Sequence, residues 1–185
     1  LNGDVPVPGD YDADGKTDVA VWRPTDPNGS TFYVFNSATN TVSYGRWGNA
    51  TDIPIVGDFN GDGRTDMTVW RPSDRNWYTL NSGGGFTVSF FGLSTDIPLA
   101  FDLEGDGRTN LAVYRPSEGR WYVANHTGVP AQNFVSVGFG IATDLPVAGD
   151  FDGDNKDDFA VFRASEGNWY ILQSASQTTL VRNWG

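Results

Sequence analysis

Four short segments of the chain carry oxygen-bearing side chains at alternate positions, a pattern that could hold metal ions. Counted from the first acid, these side chains occupy positions 1, 3, 5 and 9. They can converge on one hard cation, and the backbone carbonyl of position 7 can add a ligand. The candidate ligands are Asp10, Asp12, Asp14, Lys16 and Asp18; Asp58, Asn60, Asp62, Arg64 and Asp66; Asp102, Glu104, Asp106, Arg108 and Asn110; and Asp150, Asp152, Asp154, Lys156 and Asp158.

The loop pattern predicts calcium as the bound ion, with up to four ions and one in each loop. Calcium takes about six to eight oxygen ligands, whereas magnesium keeps more water and requires a stricter octahedron. Position 6 must turn sharply, and it is glycine in three loops and Asn155 in the fourth. An EF-hand would need a bidentate glutamate at position 12, which is valine in every loop. The third site, with the longer Glu104 and the neutral Asn110, is expected to be the weakest or empty.

Clusters of aspartate and glycine also form ordinary turns without any metal. Four copies in register favour metal sites over turns. Fourteen of the 23 acidic residues fall on ligand positions, so four divalent ions would bring the net charge from -11 to about -3. Without metal, the carboxylates of each loop would repel one another. We therefore expect calcium to contribute to folding stability.

The loops belong to a repeat whose first acids lie 48, 44 and 48 residues apart. Each unit begins at an Asp-x-Pro segment, passes through the loop into a strand ending in arginine, and closes on an aromatic–glycine pair. In the second unit, apolar and β-branched runs predict strands at about 53–57, 67–71, 77–81 and 86–91. Four strands in about 40–50 residues are typical of a propeller blade, which must stack on its neighbours.

The sequence thus predicts an all-β fold, a β-propeller built of four four-stranded blades. The predicted organisation is a single repeat domain over residues 1–185, with blades at about 1–48, 49–92, 93–140 and 141–185. A closed four-blade ring, half of a larger ring completed by another chain in a homodimer, and a piece of a longer protein all remain open. The chain has no leader pattern, so we expect a mature product or an excised domain.

Composition narrows the partners and the chemistry. The net charge of -11 argues against nucleic acid and anionic lipid as partners, and no run approaches the ~18 apolar residues of a membrane span. No cysteine is present, which removes disulfides and thiolate sites. The single histidine, His126, shares a slot with Ser37, Ser82 and Ser174 and is interpreted as an ordinary variable edge position rather than a catalytic base. Since most acids recur in every unit, no enzyme is predicted and no catalytic residue is assigned.

Recurring arginines and aromatic residues leave two interpretations open. Arg23, Arg71, Arg115 and Arg163 could bind an anionic sugar, or each could pair with a carboxylate or pack on an aromatic ring. Exposed tryptophans could stack on sugars, or they could pack between blades. We favour the structural interpretation for both sets. Asp157, the one acid without a counterpart in the other units, is expected at the surface.

The Asp-x-Asp-x-Asp-Gly-x-x-Asp loops and the pairs Phe91-Gly92 and Phe139-Gly140 resemble the FG-GAP / VCBS repeat family of integrin-α-like propellers. The segment Trp-Arg-Pro24 and its counterparts replace the family's Gly-Ala-Pro, which indicates a bacterial-style branch. The resemblance implies a calcium-stabilised propeller, extracellular, secreted or on the cell surface, with a glycan or an extracellular protein as ligand.

Two functional hypotheses follow. The first is a lectin-like, non-catalytic binding module for glycan recognition or adhesion, in which calcium stiffens the loops and similar blades present several sites. The second is a structural or accessory spacer domain of a larger secreted enzyme, with no ligand of its own except calcium.

Overall fold

The computed structural model describes residues 1–184, which form sixteen strands and no helix. The strands are β1 (Val5–Pro6), β2 (Val19–Arg23), β3 (Thr31–Asn36), β4 (Thr41–Arg46), β5 (Ile53–Gly57), β6 (Asp66–Arg71), β7 (Asn76–Leu80), β8 (Phe86–Phe90), β9 (Ile97–Phe101), β10 (Asn110–Arg115), β11 (Arg120–Ala124), β12 (Phe134–Gly138), β13 (Leu145–Gly149), β14 (Asp158–Arg163), β15 (Asn168–Leu172) and β16 (Thr179–Asn183).

The strands form four antiparallel sheets of four strands each, β1 to β4, β5 to β8, β9 to β12 and β13 to β16, in chain order. These sheets are the four blades of a β-propeller. The predicted fold class is therefore confirmed. In the second blade, the four predicted strands agree with β5 to β8 to within one residue at each end. Within the described chain no helix could serve as an apolar membrane span.

The chain divides into two compact units, Leu1–Ser94 and Thr95–Gly185, each of which contains two blades. The predicted blade boundaries, and the treatment of the whole chain as one repeat domain, stay predictions. Gly185, the glycine of the fourth aromatic–glycine pair, lies outside the described residues.

The two middle strands of each blade carry its core. In β7 Trp77 and Thr79 are buried, while Asn76, Tyr78 and Leu80 are half-buried, as expected for a strand with one face against a neighbouring sheet. The fourth strand of each blade is largely exposed. The hydrophobic surface that must be covered therefore lies on the inner strands, next to the acidic loops.

Within each unit, one blade stacks on the next through a single hydrophobic cluster. In the first unit, Trp22, Phe32 and Val34 of the first blade pack with Val69 and Met67 of the second. In the second unit, the ring of Phe101 stacks on that of Phe159 with centroids 4.7 Å apart, and Trp121 packs edge-on against Phe159. Stacking covers the hydrophobic face that a lone four-stranded sheet would leave exposed to water.

Four of the recurring tryptophans are core residues, as the favoured interpretation expects, whereas Trp169 of the fourth blade is only half-buried. Trp22, Trp70, Trp77 and Trp121 are each at most 2% exposed. Their indole N–H groups donate to the backbone carbonyls of the closing aromatic residues, for example Trp22 Nε1 to Trp47 O at 3.1 Å and Trp121 Nε1 to Phe139 O at 3.1 Å. The closing segments of the first three units thus satisfy the polar atom of a buried ring.

The recurring arginines are also structural. Each one pairs with a carboxylate and at the same time packs on an aromatic ring. In the second blade, Arg71 Nε and Nη2 donate to the two carboxylate oxygens of Asp52 at 2.8 and 2.9 Å. The same guanidinium lies over the ring of Tyr78, 4.2 Å from its centroid. The same arrangement joins Arg23, Arg115 and Arg163 to Asp4, Asp96 and Asp144 and to Tyr33, Tyr122 and Tyr170.

Candidate metal loops

Each acidic loop is folded around its first carboxylate, which collects backbone N–H groups from the turn. In the fourth loop, Asp150 Oδ1 accepts from Gly153 N at 2.6 Å and from Asp154 N at 3.2 Å. Its Oδ2 accepts from Asn155 N at 2.9 Å, where Asn155 has a φ of +71°. These bonds, led by that from Gly153, hold the pKa of Asp150 below its usual value. Asp10, Asp58 and Asp102 accept the equivalent sets of bonds.

The ninth position is a buried carboxylate that joins its loop to the following hairpin. Asp158 Oδ2 accepts from Phe151 N at 3.0 Å and its Oδ1 from Ser174 N at 2.7 Å. Asp18 and Asp66 accept the equivalent pairs of bonds. Burial raises the pKa of Asp66 in spite of these bonds. The carboxylates at position 9 therefore support the loop whether or not they also bind an ion.

The carboxylate at the fifth position accepts hydrogen bonds from within its loop and, in two loops, from a serine after the third strand. One oxygen of Asp14, Asp62, Asp106 or Asp154 accepts the backbone N–H of position 7, contributed by Lys16, Arg64, Arg108 or Lys156. In the first two loops the other oxygen accepts a serine hydroxyl, from Ser37 Oγ at 2.9 Å and from Ser82 Oγ at 2.5 Å. This serine slot follows the third strand of each blade.

The first and fourth loops bring three carboxylates together. One oxygen from each of Asp10, Asp12 and Asp18, and likewise from each of Asp150, Asp152 and Asp154, lies within 4.8 Å of the other two. In the fourth loop, Asp152 Oδ1 and Ser174 Oγ are buried and make no hydrogen bond. Buried polar atoms normally have partners, and a hard cation is the partner that suits converging carboxylates. The residues of this loop fit calcium.

The second loop is closed by an amide. Asn60 Nδ2 lies 3.2 Å from Asp62 Oδ2 and 3.4 Å from Asp66 Oδ1, so it donates into the space between the two carboxylates. In this arrangement the amide partly offsets their repulsion, as a cation would. Calcium here requires Asn60 to present its oxygen instead, which a rotation of the side chain achieves.

The third loop differs in its ninth position. Asn110 Oδ1 accepts from Leu103 N at 3.0 Å, as an aspartate would, but Asn110 Nδ2 donates to Ala124 O at 3.0 Å. The exchange of a carboxylate oxygen for an N–H donor keeps the loop folded and removes one negative charge. This geometry agrees with the expectation that calcium binds most weakly here, although the metal assignment of all four loops stays a prediction.

The sequence suggested that His126 occupies an ordinary edge position. The structure instead places its side chain against the third acidic loop. Its side chain is 15% exposed, and its Nε2 lies 3.3 Å from Glu104 Oε2 and 3.9 Å from Asp106 Oδ1. The buried Nε2 makes no hydrogen bond. The sequence placed His126 in the serine slot, but it did not show that this slot faces positions 3 and 5 of the loop.

Neighbouring loops within a unit are bonded to each other through the eighth position. Thr65 N donates to Asp10 O at 2.7 Å in the first unit, and Asp157 N donates to Asp102 O at 2.9 Å in the second. Asp157 Oδ2 also accepts from Asp102 N at 2.8 Å. The expectation that Asp157 is a surface residue was wrong, because its carboxylate is partly buried at this junction, and burial raises its pKa.

A polar pocket of about 120 Å³ opens on the first blade, away from its acidic loop. Its lining residues are Asp26, Asn28, Thr31, Tyr33, Tyr44 and Arg46. Tyr33 donates its hydroxyl to Asp26 Oδ2 at 2.6 Å, and this bond is the main cause that lowers the pKa of Asp26. The ring of Tyr44 is 66% exposed. No motif in the sequence marked this pocket.

Comparison with known proteins agrees with the repeat and the fold. Residues 10–69 match the family model of the FG-GAP-like repeat. The resemblance to FG-GAP repeats inferred from the loop motif is therefore confirmed over these 60 of the 185 residues. The matched stretch runs from the first acidic loop into β6 and contains two of the four candidate loops.

The solved structures include a lectin of Agrocybe aegerita, described by its specific recognition of non-reducing terminal N-acetylglucosamine, with a TM-score of 0.62 and 15% identity. The match covers 97% of this chain and 52% of the lectin chain, so the present chain spans about half the length of that lectin. At this identity, the likeness shows the fold. No curated protein is similar enough in sequence to count as a relative of the chain.

Proposed function

We propose that this FG-GAP-like repeat chain is a calcium-stabilised, non-catalytic binding module that acts outside the cell and recognises glycans. The observation that carries the glycan proposal is the polar pocket of the first blade. It combines an ionised carboxylate, an amide, a hydroxyl and a guanidinium with one exposed aromatic face. Hydrogen bonds to sugar hydroxyls and stacking on an aromatic face are the two contacts that a sugar ring offers.

The residues that line the pocket all belong to the first blade, so this proposal assigns one sugar site, whereas the sequence analysis expected similar sites on several blades. Tyr44 stands opposite Tyr33 in the strand register, and the corresponding partners in the other blades are Val88, Ser136 and Val181. Its volume is smaller than that of pockets enclosing drug-sized ligands, which measure about 300–1,000 Å³. A single terminal sugar suits it better than a long chain. The fungal lectin with the same fold supports the class of ligand.

Calcium would act on the scaffold rather than on the sugar in this proposal. Each loop connects the first and second strands of its blade, and backbone hydrogen bonds between loops join the two blades of a unit. Ions bound there would offset the repulsion among the carboxylates and stiffen the sheets that carry the pocket.

A glycan array with the calcium-loaded chain tests this function. We expect binding to a small set of terminal sugars, lost in Tyr44→Val, which gives the first blade the residue of the second and fourth blades. Val181→Ala, on the matching strand of the fourth blade, is the control and should keep binding. An array without any positive, or one on which Tyr44→Val binds as well as the parent chain, would refute glycan recognition through this pocket.

The second candidate function is a structural or accessory spacer domain of a larger secreted enzyme, and an exposed apolar face of the fourth blade, suited to packing against a partner, favours a structural role. There Phe151, Trp169, Ile171, Arg182, Asn183 and Trp184 line a cavity of about 340 Å³. Trp184 is 80% exposed and Phe151 42%. The equivalent residues of the first and third blades are covered by the next blade.

The occupant proposed for this face is a blade of a second copy, which would complete a larger ring as a homodimer. Blade stacking within each unit uses the same type of surface, so another blade is the partner with matching shape. Light scattering should then give the mass of a dimer, reverting to a monomer in Trp184→Glu. A parent chain that stays monomeric at high concentration would contradict the homodimer and leave the glycan test unaffected.

A further inference from the structure

Each blade has two faces, because neighbouring residues of a strand point to opposite sides of the sheet. In the first blade, Trp22 and Phe32 stand opposite each other on β2 and β3 and define one side, which we call the Trp face. Val21 and Tyr33 stand opposite each other on the other side, which we call the Tyr face. The residues at the equivalent register positions define the Trp and Tyr faces of the other three blades.

Stacking within a unit joins a Trp face to a Tyr face, in the same direction each time. In the first unit, Trp22 packs in one cluster with Val69, on the Tyr face of the second blade. In the second unit, Trp121 of the third blade packs with Phe159 and Val161, on the Tyr face of the fourth. The Trp face of one blade is therefore complementary to the Tyr face of the blade that follows it.

The Tyr face of the first blade is exposed. Val19 is 73% exposed, whereas Phe159, at the same register position of the fourth blade, is 9% exposed in its cluster with the third blade. Val19, Phe35 and Val42 line an apolar cavity of about 200 Å³ on this face. Apolar side chains clustered in this way gain free energy when another surface covers them. In the stacked blades, the surface that covers a Tyr face is a Trp face.

The Trp face of the fourth blade is exposed in turn. Trp169 is half-buried, whereas Phe32, at the same register position of the first blade, is fully buried. Trp184, which closes the fourth blade, is 80% exposed, whereas Trp47, which closes the first, is half-buried. The chain thus presents one exposed face of each complementary type.

The junction of the first and second blades shows the polar contacts that accompany such stacking. Trp47 Nε1 donates to Tyr78 O at 2.9 Å. Thr65 N donates to Asp10 O at 2.7 Å. The equivalent groups on the two exposed faces are the indole of Trp184 with the carbonyl of Tyr33, and the carbonyl of Asp150 with the N–H of Thr17.

We propose that the Tyr face of the first blade binds the Trp face of the fourth blade in a second copy of this chain, through a contact called the seam. The proposal rests on the homodimer put forward above, and it adds which blades meet and in which direction. Trp184 of one copy donates to the carbonyl of Tyr33 in the other. Its ring lies over Val42 of that copy, as the ring of Trp47 lies 5.9 Å from that of Phe86 between the first two blades. Two identical seams cover all four exposed faces of a dimer.

The seam leaves the sugar pocket of the first blade accessible. Tyr44 lies on the Tyr face, and its counterpart in the second blade is Val88. Val88 remains 48% exposed although the first blade stacks on the same sheet. The outermost strand of a blade therefore extends past the stacked surface, and docking and sugar binding use separate parts of the face.

Disulfide trapping tests the direction of the seam, because the chain has no cysteine of its own. At the junction of the first two blades, a Cβ at Gly9 would lie 3.0 Å from Thr65 Cβ, close to the separation of about 3.5–4.5 Å in a disulfide. The equivalent positions at the seam are Gly149 and Thr17. A mixture of Gly149→Cys and Thr17→Cys chains should give a disulfide-linked dimer on oxidation, whereas either variant alone should stay unlinked. Since each chain of the mixture carries a single cysteine, no link can form within a chain.

A charge on the Tyr face should break the seam in a chain without cysteine. Val19→Glu places a carboxylate on a side chain that is exposed in one copy and buried in the seam, so light scattering should give the mass of a single chain. Val129→Glu makes the same change at an exposed valine between β11 and β12 of the third blade, and it should keep the mass of a dimer.

The two measurements separate failure of the seam from failure of the homodimer. If the parent chain has the mass of a dimer but the mixture gives no more linked dimer than either variant alone, the seam is refuted and the homodimer stands. Val19→Glu that keeps the mass of a dimer refutes the seam in the same way. A monomeric parent chain refutes both proposals. The glycan array is independent of these results, because Thr17, Val19 and Gly149 do not line the sugar pocket.

Discussion

The buried pair of Asp52 and Arg71 allows a sharp test of what holds a blade together. The Asp52 side chain is 0% exposed and that of Arg71 20% exposed, and two parallel hydrogen bonds of 2.8 and 2.9 Å join them. Asp52 Oδ2 also accepts from Asn49 N at 2.8 Å, just before β5. The pair therefore fixes the start of the first strand of the blade to the end of its second.

Arg71→Met should remove the partner and leave a buried carboxylate uncompensated. Such a loss costs about 3–5 kcal/mol, far above the 1 kcal/mol or so of an exposed ion pair. Arg71→Lys keeps a positive charge but loses the bidentate contact with Asp52 and the planar guanidinium over Tyr78. It should lower the free energy of unfolding, but by less than Arg71→Met does. The double variant Asp52→Asn/Arg71→Met removes the stranded charge and should recover about 1–3 kcal/mol relative to additivity.

Urea unfolding in saturating calcium, followed by tryptophan fluorescence, measures these differences. Trp70 lies next to Arg71 in the core of the second blade and reports its unfolding. Arg64→Met changes an exposed arginine of the neighbouring loop and should stay within about 0.5 kcal/mol of the parent chain. If Arg71→Met lowers the free energy of unfolding by less than about 1 kcal/mol, or if the two single changes are additive, the pair is not the structural link described above.

Three further predictions concern the loops and the closing glycines. Chelation of calcium should lower the melting temperature, because an ion present at 100 times its Kd contributes about 2.7 kcal/mol to stability. Asp152→Asn should make this decrease smaller. Identical melting curves with and without chelator would contradict the prediction. Burial raises the pKa of Asp157, so its charge costs stability at neutral pH, and this cost fades as pH falls through the raised value. Asp157→Asn keeps an acceptor for Asp102 N and should raise the melting temperature at pH 7, with no difference below about pH 3.9; a lower melting temperature at pH 7 would show that the charge is needed. Gly140→Ala should lower the free energy of unfolding in urea by about 1–3 kcal/mol more than Gly153→Ala. A Cβ at Gly140 would lie 2.6 Å from Tyr114 Oη, whereas a Cβ at Gly153 would have no surrounding atom within 4 Å. Equal losses in the two variants would rule out the clash.

The sequence by itself determined the architecture and the location of the acidic loops. A repeat of four short strands can be recognised because strand periodicity, turn residues and the spacing of the acids are local features that recur with each blade. The strands of the second blade were predicted to within one residue for this reason. The structural role of the arginines could also be inferred, since a residue repeated once per blade is expected to serve what every blade needs.

Contacts that join residues far apart in the chain were decided only by the tertiary structure. Asp157 meets Asp102 across two loops 55 residues apart. His126 reaches Glu104 from a different strand connection, and the pocket around Tyr44 is built from two hairpins. Sequence spacing fixes which residues share a strand or a turn. It does not fix which turns meet, because that depends on how each sheet twists and stacks upon the next.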